Sequence, residues 1–185
     1  MQAAGRLRAP AGFARRGCEY DRVVRLLIVA LALAAFTVGP AQANRAACDR
    51  AKARAAIAST HLRMTLLSGS PTRVDPNSAD QVLCHDFTRD GRLDLAVTIA
   101  SGGTAGDIGF AVFRATPAGW RVALAMGGYK LGLFRVGSDV ASSQPVYRKD
   151  DPNCCPTGGF DHRRYHWNGA RFVVARNWHT RSFRP

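Results

Sequence analysis

Apolar residues follow two different patterns along this chain. One continuous run, LLIVALALAAFTV, occupies residues 26–38, whereas after residue 80 apolar and polar residues alternate in short stretches. Alternation with a period of two is typical of half-buried β-strands, because successive side chains point to opposite faces of a sheet. The chain after residue 80 is therefore predicted to be mainly strand, and the N-terminal run needs a separate explanation.

Helical periodicity is clear in residues 46–67. The apolar positions that recur at three- and four-residue spacing are Cys48, Ala51, Ala55, Ala58, Leu62 and Leu66. Such a stripe predicts a helix with one face towards the core, and Gly69 follows as a stop signal. Residues 68–80 are rich in Ser, Pro, Asn and Asp and are predicted to be a loop.

The remaining pattern predicts a set of short strands. They cover residues 82–85, 93–100, 110–114, 120–126, 129–136 and 145–148. A last hairpin over residues 163–176 contains Asn168-Gly169, a dipeptide typical of two-residue turns, which would pair Trp167 with Ala170. No internal repeat or linker interrupts the chain. We therefore predict one α+β domain, in which an N-terminal helix packs on a mainly antiparallel β-sheet and disulfides staple the two.

The N-terminal apolar run has the features of a secretory signal. Arg22 and Arg25 precede it, and the small-residue sequence Ala41-Gln42-Ala43 follows it. Its length of about 13 residues falls short of the roughly 20 that a transmembrane helix needs. We expect a signal peptide over residues 1–43 and a single secreted, extracellular domain over residues 44–185. An uncleaved signal that holds the chain at the membrane is the alternative.

Cysteine usage agrees with export. Removal of the signal takes Cys18 away and leaves Cys48, Cys84, Cys154 and Cys155. An even number of cysteines in an oxidising compartment indicates two disulfides, for which three connectivities are possible. A bridge between the adjacent Cys154 and Cys155 would need a strained backbone. We therefore expect Cys48 and Cys84 each to pair with one of the adjacent two.

The domain after the signal is strongly basic. Residues 44–185 carry twenty Arg and Lys residues against eleven acidic residues, all of them Asp, for a net charge of +9. A basic secreted domain could bind anionic polymers of the cell envelope through its long-range field. The arginines are spread along the chain instead of forming one run, so the pattern favours no specific nucleic-acid site. The particular extracellular or envelope partner is unknown from the sequence.

The stretch DFTRDGRLDLAV, residues 86–97, places oxygen donors at alternate positions. The candidate ligands are Asp86, Thr88, Asp90, the main-chain carbonyl of Arg92, and Asp94. Calcium takes six to eight oxygen ligands, often from a loop with a glycine at its sharp bend, and Gly91 fills that place. Val97 stands where an EF-hand has its bidentate Glu, so the loop is not an EF-hand. The competing interpretation is a polar turn, for which Asp and Gly are the expected residues.

The pattern D-x-x-x-D-G-x-x-D followed by an apolar strand resembles the calcium loop of FG-GAP and VCBS repeats. In that family the matching side chains bind calcium, which implies that Asp86, Thr88, Asp90 and Asp94 are ligands here. The resemblance covers about a dozen residues, and a propeller of such repeats would need several blades. The combination of DPNCCPTGG and YHWNG also resembles small secreted proteins of actinobacteria, a resemblance that implies no activity.

No catalytic constellation is evident. The pairs His85-Asp86 and Asp161-His162 are adjacent in the chain, and neighbours on a strand point to opposite faces. The serines lack a nucleophile-elbow context, and the glycine-rich turn lacks the Lys of a phosphate loop. We predict a secreted, non-enzymatic binding or structural module with a possible calcium-stabilised loop. The alternatives are an envelope module that binds anionic polymers, or an inhibitor of secreted enzymes that presents residues 149–160.

Overall fold

The computed structural model describes residues 48–183. The signal peptide predicted over residues 1–43 lies outside the described residues. About half of the described residues are in strands and a tenth are in helices, so the chain is mainly β. The α+β prediction is therefore wrong. Within the described part, no helix combines the length and the apolar character that crossing a membrane requires.

The described residues form one α-helix, one 3₁₀ turn and ten strands. The helix α1 is Arg50–Thr60, and the 3₁₀ turn is Pro76–Ser78. The strands are β1 Arg63–Thr65, β2 Pro71–Arg73, β3 Ala79–His85, β4 Asp94–Ala100, β5 Asp107–Thr116, β6 Gly119–Gly127, β7 Gly132–Val136, β8 Asp139–Pro145, β9 Phe160–Trp167 and β10 Phe172–Thr180.

The strands form three antiparallel sheets. Strands β1 and β2 make a small ribbon, β3 to β6 follow one another in a four-stranded meander, and β7 to β10 follow one another in a second meander. We call these meanders the first and second sheets. The strand that completes the second sheet is β8, DVASSQP, of which the sequence pattern predicts only Pro145 as strand. With β8 in place, the strands of the second half form a sheet of their own instead of extending the first.

The first sheet has a core on each of its faces. Towards the second sheet, the buried side chains include Ala96, Phe110, Val112, Leu133, Val140, Tyr165, Trp167 and Phe172. On the opposite face, residues of α1 and the ribbon pack against Leu95, Val97, Ile99, Ala111 and Phe113. Strand β4 is consequently buried along nearly its whole length. Leu95, Val97 and Ile99 share one face of β4.

Helix α1 is shorter than predicted and uses a different face. Asp49 caps its start by accepting a hydrogen bond from the N–H of Lys52 at 2.8 Å. His61 ends the helix with a φ of 49°, in the left-handed region. The side chains that it buries are Ala53, Ala56 and Ile57.

The predicted stripe through Ala51, Ala55 and Ala58 is therefore wrong, because these residues are exposed. Alanine side chains bury little area, and Ile57 is the large apolar side chain within α1. Burying Ile57 removes more apolar surface from water than burying a row of alanines. Helix α1 is therefore rotated about its axis relative to the predicted orientation, so that Ile57 faces the core.

The predicted cysteine pairing is also wrong. Cys48 pairs with Cys84, with their Cα atoms 5.8 Å apart, and Cys154 pairs with Cys155. The first bridge joins the start of α1 to strand β3, which α1 packs against. Cys154 and Cys155 lie in the exposed segment between β8 and β9, away from α1 and β3. Proximity of α1 to β3 therefore decides the connectivity.

The last hairpin has a register two residues away from the predicted one. Trp167 pairs with Phe172, so the central turn residues are Gly169-Ala170 and not Asn168-Gly169. The side chain of Asn168 sets this turn, since its Oδ1 accepts hydrogen bonds from the N–H groups of Ala170 and Arg171 at 3.0 and 2.9 Å. A shift of two residues keeps each side chain on its face.

One side chain joins the two sheets at an edge. The Nε2 of Gln81 on β3 donates a hydrogen bond to the carbonyl of Leu133 on β7 at 2.8 Å. The N–H of Leu133 donates in return to Oε1 of Gln81 at 3.4 Å. The Gln81 amide thus takes the place of a neighbouring strand for part of the edge of β7.

Candidate functional site

The aspartates of the predicted calcium loop bond mainly to main-chain N–H groups of the loop itself. Asp86 accepts hydrogen bonds from the N–H groups of Asp90 and Gly91 at 3.0 and 2.8 Å. Asp90 accepts one from the N–H of Arg92 at 3.1 Å, and its other oxygen lies 3.0 Å from the guanidinium of Arg114. Partial burial works against the charged form of Asp90, but the Arg114 bond holds the pKa of Asp90 below its ordinary value.

Asp94 is fully buried. One of its oxygens accepts the N–H of Thr88 at 2.8 Å, and the other accepts the N–H of Ala115 on β5 at 2.9 Å. Burial raises the pKa of Asp94, and the two amide hydrogen bonds oppose this rise. Thr88 is buried as well. The loop is thereby fastened to the end of β5.

As arranged, these residues do not fit a calcium ion. Six to eight oxygens must converge on calcium, whereas Asp86 and Asp94 turn their oxygens to N–H groups and Asp90 bonds to Arg92 and Arg114. Among residues 48–183, no group of three or more His, Cys, Asp or Glu side chains is placed to hold a metal. Sequence reasoning missed Arg114, which lies 24 residues beyond Asp90. The calcium ligand set stays a prediction.

A cleft opens between the two sheets, and we call it the inter-sheet cleft. Its volume is about 280 Å³. Its floor is apolar, formed by Phe110 and Met126 of the first sheet, by Leu131, and by the ring of Tyr165. Its polar wall comes from the second sheet and includes Ser142, Gln144, Asp161 and Arg163.

Strand pairing explains why this wall is polar. Tyr165 pairs with Val140, Arg163 pairs with Ser142, and Asp161 pairs with Gln144, so these six residues share the face towards the first sheet. Along that face the apolar pair Val140–Tyr165 is followed by two polar pairs, and the apolar core ends where the cleft begins. Sequence reasoning missed the site because it placed Ser142 in a loop.

The two charged residues of the cleft differ in their contacts. Asp161 lies 2.8 Å from Nδ1 of His179 on the neighbouring strand β10. Arg163 forms no hydrogen bond or ion pair with any residue of the described part of the chain. The guanidinium of Arg163 therefore has all its donors available to a ligand or to water.

No protein family, curated protein or solved structure matches this chain. The resemblance to FG-GAP and VCBS loops accordingly rests on the loop residues alone.

His162 is buried. Its ring stacks on Trp178 at a centroid distance of 4.9 Å, and its Nε2 lies 2.7 Å from Oγ1 of Thr180. Burial lowers the pKa of His162. Ser143 is its strand partner and is also fully buried, and no hydrogen bond joins the two side chains within the described residues.

On the face of the second sheet that carries His162, positively charged side chains surround the carboxylate of Asp139. Asp139 is buried, with Nε of Arg164 at 2.6 Å and Nδ1 of His166 at 3.0 Å. Arg89, from the predicted calcium loop, lies 3.6 Å away and donates hydrogen bonds to Oγ of Ser138. Arg89 and Arg164 together carry two positive charges against the single charge of Asp139. We call Arg89, Arg164 and His166 the cationic cluster.

Residues 149–160, the segment that an inhibitor would present to an enzyme, are held by hydrogen bonds within the segment and to Arg148. Asp151 accepts hydrogen bonds from the N–H groups of Arg148 and Thr157, each at 2.7 Å, and these bonds lower the pKa of Asp151. Cys154 and Cys155 are exposed at its tip. No contact in the described structure identifies a target for this loop.

Proposed function

We propose that this chain is a secreted, non-enzymatic binding protein that takes a small ligand in the inter-sheet cleft. The observation that carries the proposal is the composition of the cleft: an apolar floor beside a few polar groups that face the same space. Small-molecule sites are commonly concave, with a few polar groups that fix the orientation of the ligand; in this cleft polar atoms form the larger part of the exposed lining. The volume of about 280 Å³ lies near the lower end of the roughly 300–1,000 Å³ that such sites span, which favours a small ligand.

The chemistry of the cleft supports binding over catalysis. General acid–base catalysis needs a titratable group with a suitable pKa within reach of the substrate. Asp161 is engaged with His179, and a guanidinium such as that of Arg163 donates hydrogen bonds and has no acceptor atom. Ser142 has no imidazole or carboxylate bonded to it among the described residues.

A neutral fluorescent probe tests the proposal. N-phenyl-1-naphthylamine brightens in apolar sites, and we expect it to bind the purified protein with saturable fluorescence. Replacing Ser142 by Phe should remove most of this signal, because the Ser142 side chain lines the cleft and the new ring would enter it.

The matched control is Ser68→Phe, which adds the same ring at an exposed turn. Both variants should melt cooperatively, which would show that each is folded. Equal binding by wild type and Ser142→Phe, or no saturable binding by the wild type, would rule out the cleft as the site.

Secretion is supported by the signal pattern of residues 1–43. We expect a full-length chain expressed in a secreting bacterial host to accumulate outside the cells with Asn44 as its first residue. Intact-mass measurement of the exported protein reads this directly. A chain retained in the cells with its N-terminal segment uncleaved would contradict the proposal.

A second candidate function is binding of an anionic envelope polymer, and the cationic cluster favours it. Arg89 is half exposed, with 52% of its side-chain surface accessible, so its charge can reach a ligand. We expect retention on heparin at low salt and earlier elution of Arg89→Gln than of the control Arg121→Gln. Elution of both variants at the same salt concentration would assign the retention to net charge and not to the cluster.

A further inference from the structure

The polar groups of the inter-sheet cleft have hydrogen-bonding capacity that the described part of the chain does not use. Arg163, Oγ of Ser142 and the hydroxyl of Tyr165 have no hydrogen-bond partner among residues 48–183. Neither hydroxyl belongs to the unpartnered buried atoms, although both residues are largely buried, so both hydroxyls are open to the cleft. Ser142 and Arg163 face each other across strands β8 and β9. Three sets of donors therefore converge on one space.

The free guanidinium of the cleft suits a negative ligand group. Asp161 is the other charged residue of the lining, and one of its oxygens lies 2.8 Å from Nδ1 of His179 on β10. Arg163 has no ion-pair partner among the described residues. A guanidinium binds carboxylate, sulfonate and phosphate groups well, because its planar fork can donate two parallel hydrogen bonds.

The remaining lining defines the rest of the ligand. Met126 and Leu131 offer apolar surface next to the donors, and the nearly buried Phe110 lies in the same part of the lining. Such a floor gains most from an apolar body such as a ring system or a short acyl chain. A ligand that combines this body with one anionic group would use both halves of the cleft at once.

We propose that the ligand of the inter-sheet cleft is a small amphipathic anion, with its acidic group on Arg163 and Ser142 and its apolar body on Phe110, Met126 and Leu131. The proposal rests on the proposed binding function and adds the chemical class of the ligand. It makes Arg163 the residue that selects for negative charge.

Two probes that differ by a single sulfonate test this class. We would titrate the purified protein with 8-anilinonaphthalene-1-sulfonate and with N-phenyl-1-naphthylamine, its neutral counterpart. Wild type should bind the sulfonate about tenfold more tightly, as expected for a hydrogen bond to a charged group. Arg163→Gln should abolish this preference and leave the neutral probe unaffected, and Arg163→Lys should keep part of it.

The control is Arg121→Gln, which removes the same charge from an exposed residue of β6 that does not line the cleft. It should bind both probes as wild type does. If Arg163→Gln and Arg121→Gln weaken sulfonate binding equally, or if wild type shows no preference, the anion assignment fails while the binding function stands. If wild type binds neither probe saturably, the proposed function fails, and the ligand class fails with it.

Discussion

Asp94 on β4 accepts a hydrogen bond at 2.9 Å from the N–H of Ala115, which lies 21 residues further along the chain on β5. The second carboxylate oxygen of Asp94 accepts a hydrogen bond from the N–H of Thr88 at 2.8 Å. A fully buried carboxylate thus connects the Asp-rich loop to the neighbouring strand. This contact gives the last aspartate of the motif a structural role that does not require a metal.

Replacing Asp94 by Asn should destabilise the fold. The Asn side chain offers one acceptor oxygen, so its amide group would face one of the two N–H donors and leave it unsatisfied. We expect a loss of about 1–3 kcal/mol in the free energy of unfolding, measured by urea denaturation. Asp150→Asn, at an exposed position, is the control, and equal stability of the two variants would contradict the assigned role.

Calcium should leave the melting temperature unchanged. The carboxylates of Asp86, Asp90 and Asp94 already bond to amides and to Arg114. The measurement compares melting in EDTA with melting in about 5 mM calcium, above the weak extracellular range of roughly 10⁻⁴–10⁻³ M. A calcium-dependent rise that Asp90→Asn removes and Asp150→Asn keeps would instead support the ligand set implied by the FG-GAP resemblance.

Stability should fall as the pH falls below about 6.5, in part because of His162. Burial lowers the pKa of His162 in the folded state, so the unfolded chain takes up the proton first. Protonation therefore favours unfolding between the unfolded pKa of about 6.5 and the lower folded value. His162→Phe keeps a ring beside Trp178 and removes the titration.

The measurement is the drop in melting temperature between about pH 7 and about pH 5. We expect a smaller drop in His162→Phe than in wild type. His61→Asn is the control, since His61 is exposed and Asn tolerates its left-handed backbone. An unchanged drop in His162→Phe would mean that His162 does not contribute to the acid sensitivity.

A non-reducing tryptic map should reproduce the cysteine pairing. The peptide 46–50 contains Cys48 and should be disulfide-linked to the peptide 74–89, which contains Cys84. The peptide 150–163 contains both remaining cysteines and should appear alone, two hydrogens lighter than its reduced form. A link from this peptide to either of the others would restore the pairing expected from sequence.

Removal of the first bridge should be costly. It closes a loop of 36 residues, which corresponds to about 3–4 kcal/mol in the chain-entropy account. We expect this loss in the free energy of unfolding for the double variant Cys48→Ala, Cys84→Ala. The double variant Cys154→Ala, Cys155→Ala should lose far less free energy of unfolding, because the second bridge joins two residues that are already neighbours in the chain.

Sequence patterns predicted the strands where one face is uniformly apolar. Leu95, Val97 and Ile99 alternate with smaller or polar residues, and their strand was found. The prediction failed for β8, where Ser142 and Gln144 face the cleft and interrupt the apolar face. A strand whose inner face changes from core to binding surface loses the alternation that identifies it.

The helix face and the hairpin register were wrong for local reasons. The periodicity gives Ala51 and Ala55 the same weight as Ile57, whereas the free energy gained by burial depends on the apolar area removed from water. The Asn168-Gly169 dipeptide indicated a turn, but the hydrogen bonds that Asn168 itself accepts place the turn one residue later, which shifts the strand register by two. Neither the pairing of Asp90 with Arg114 nor the gathering of Arg89 and Arg164 around Asp139 was predictable, because each depends on tertiary contact.

The bond between Gln81 and Leu133 has a consequence for the edge of β7. The amide of one side chain joins the two sheets at the β3–β7 edge, whereas the inter-sheet cleft lies towards β5, β6, β8 and β9. In the described residues every strand pairing stays within its own sheet. Removing the Gln81 amide would therefore leave the main-chain N–H and C=O of Leu133 without these partners, while every strand ladder stays intact.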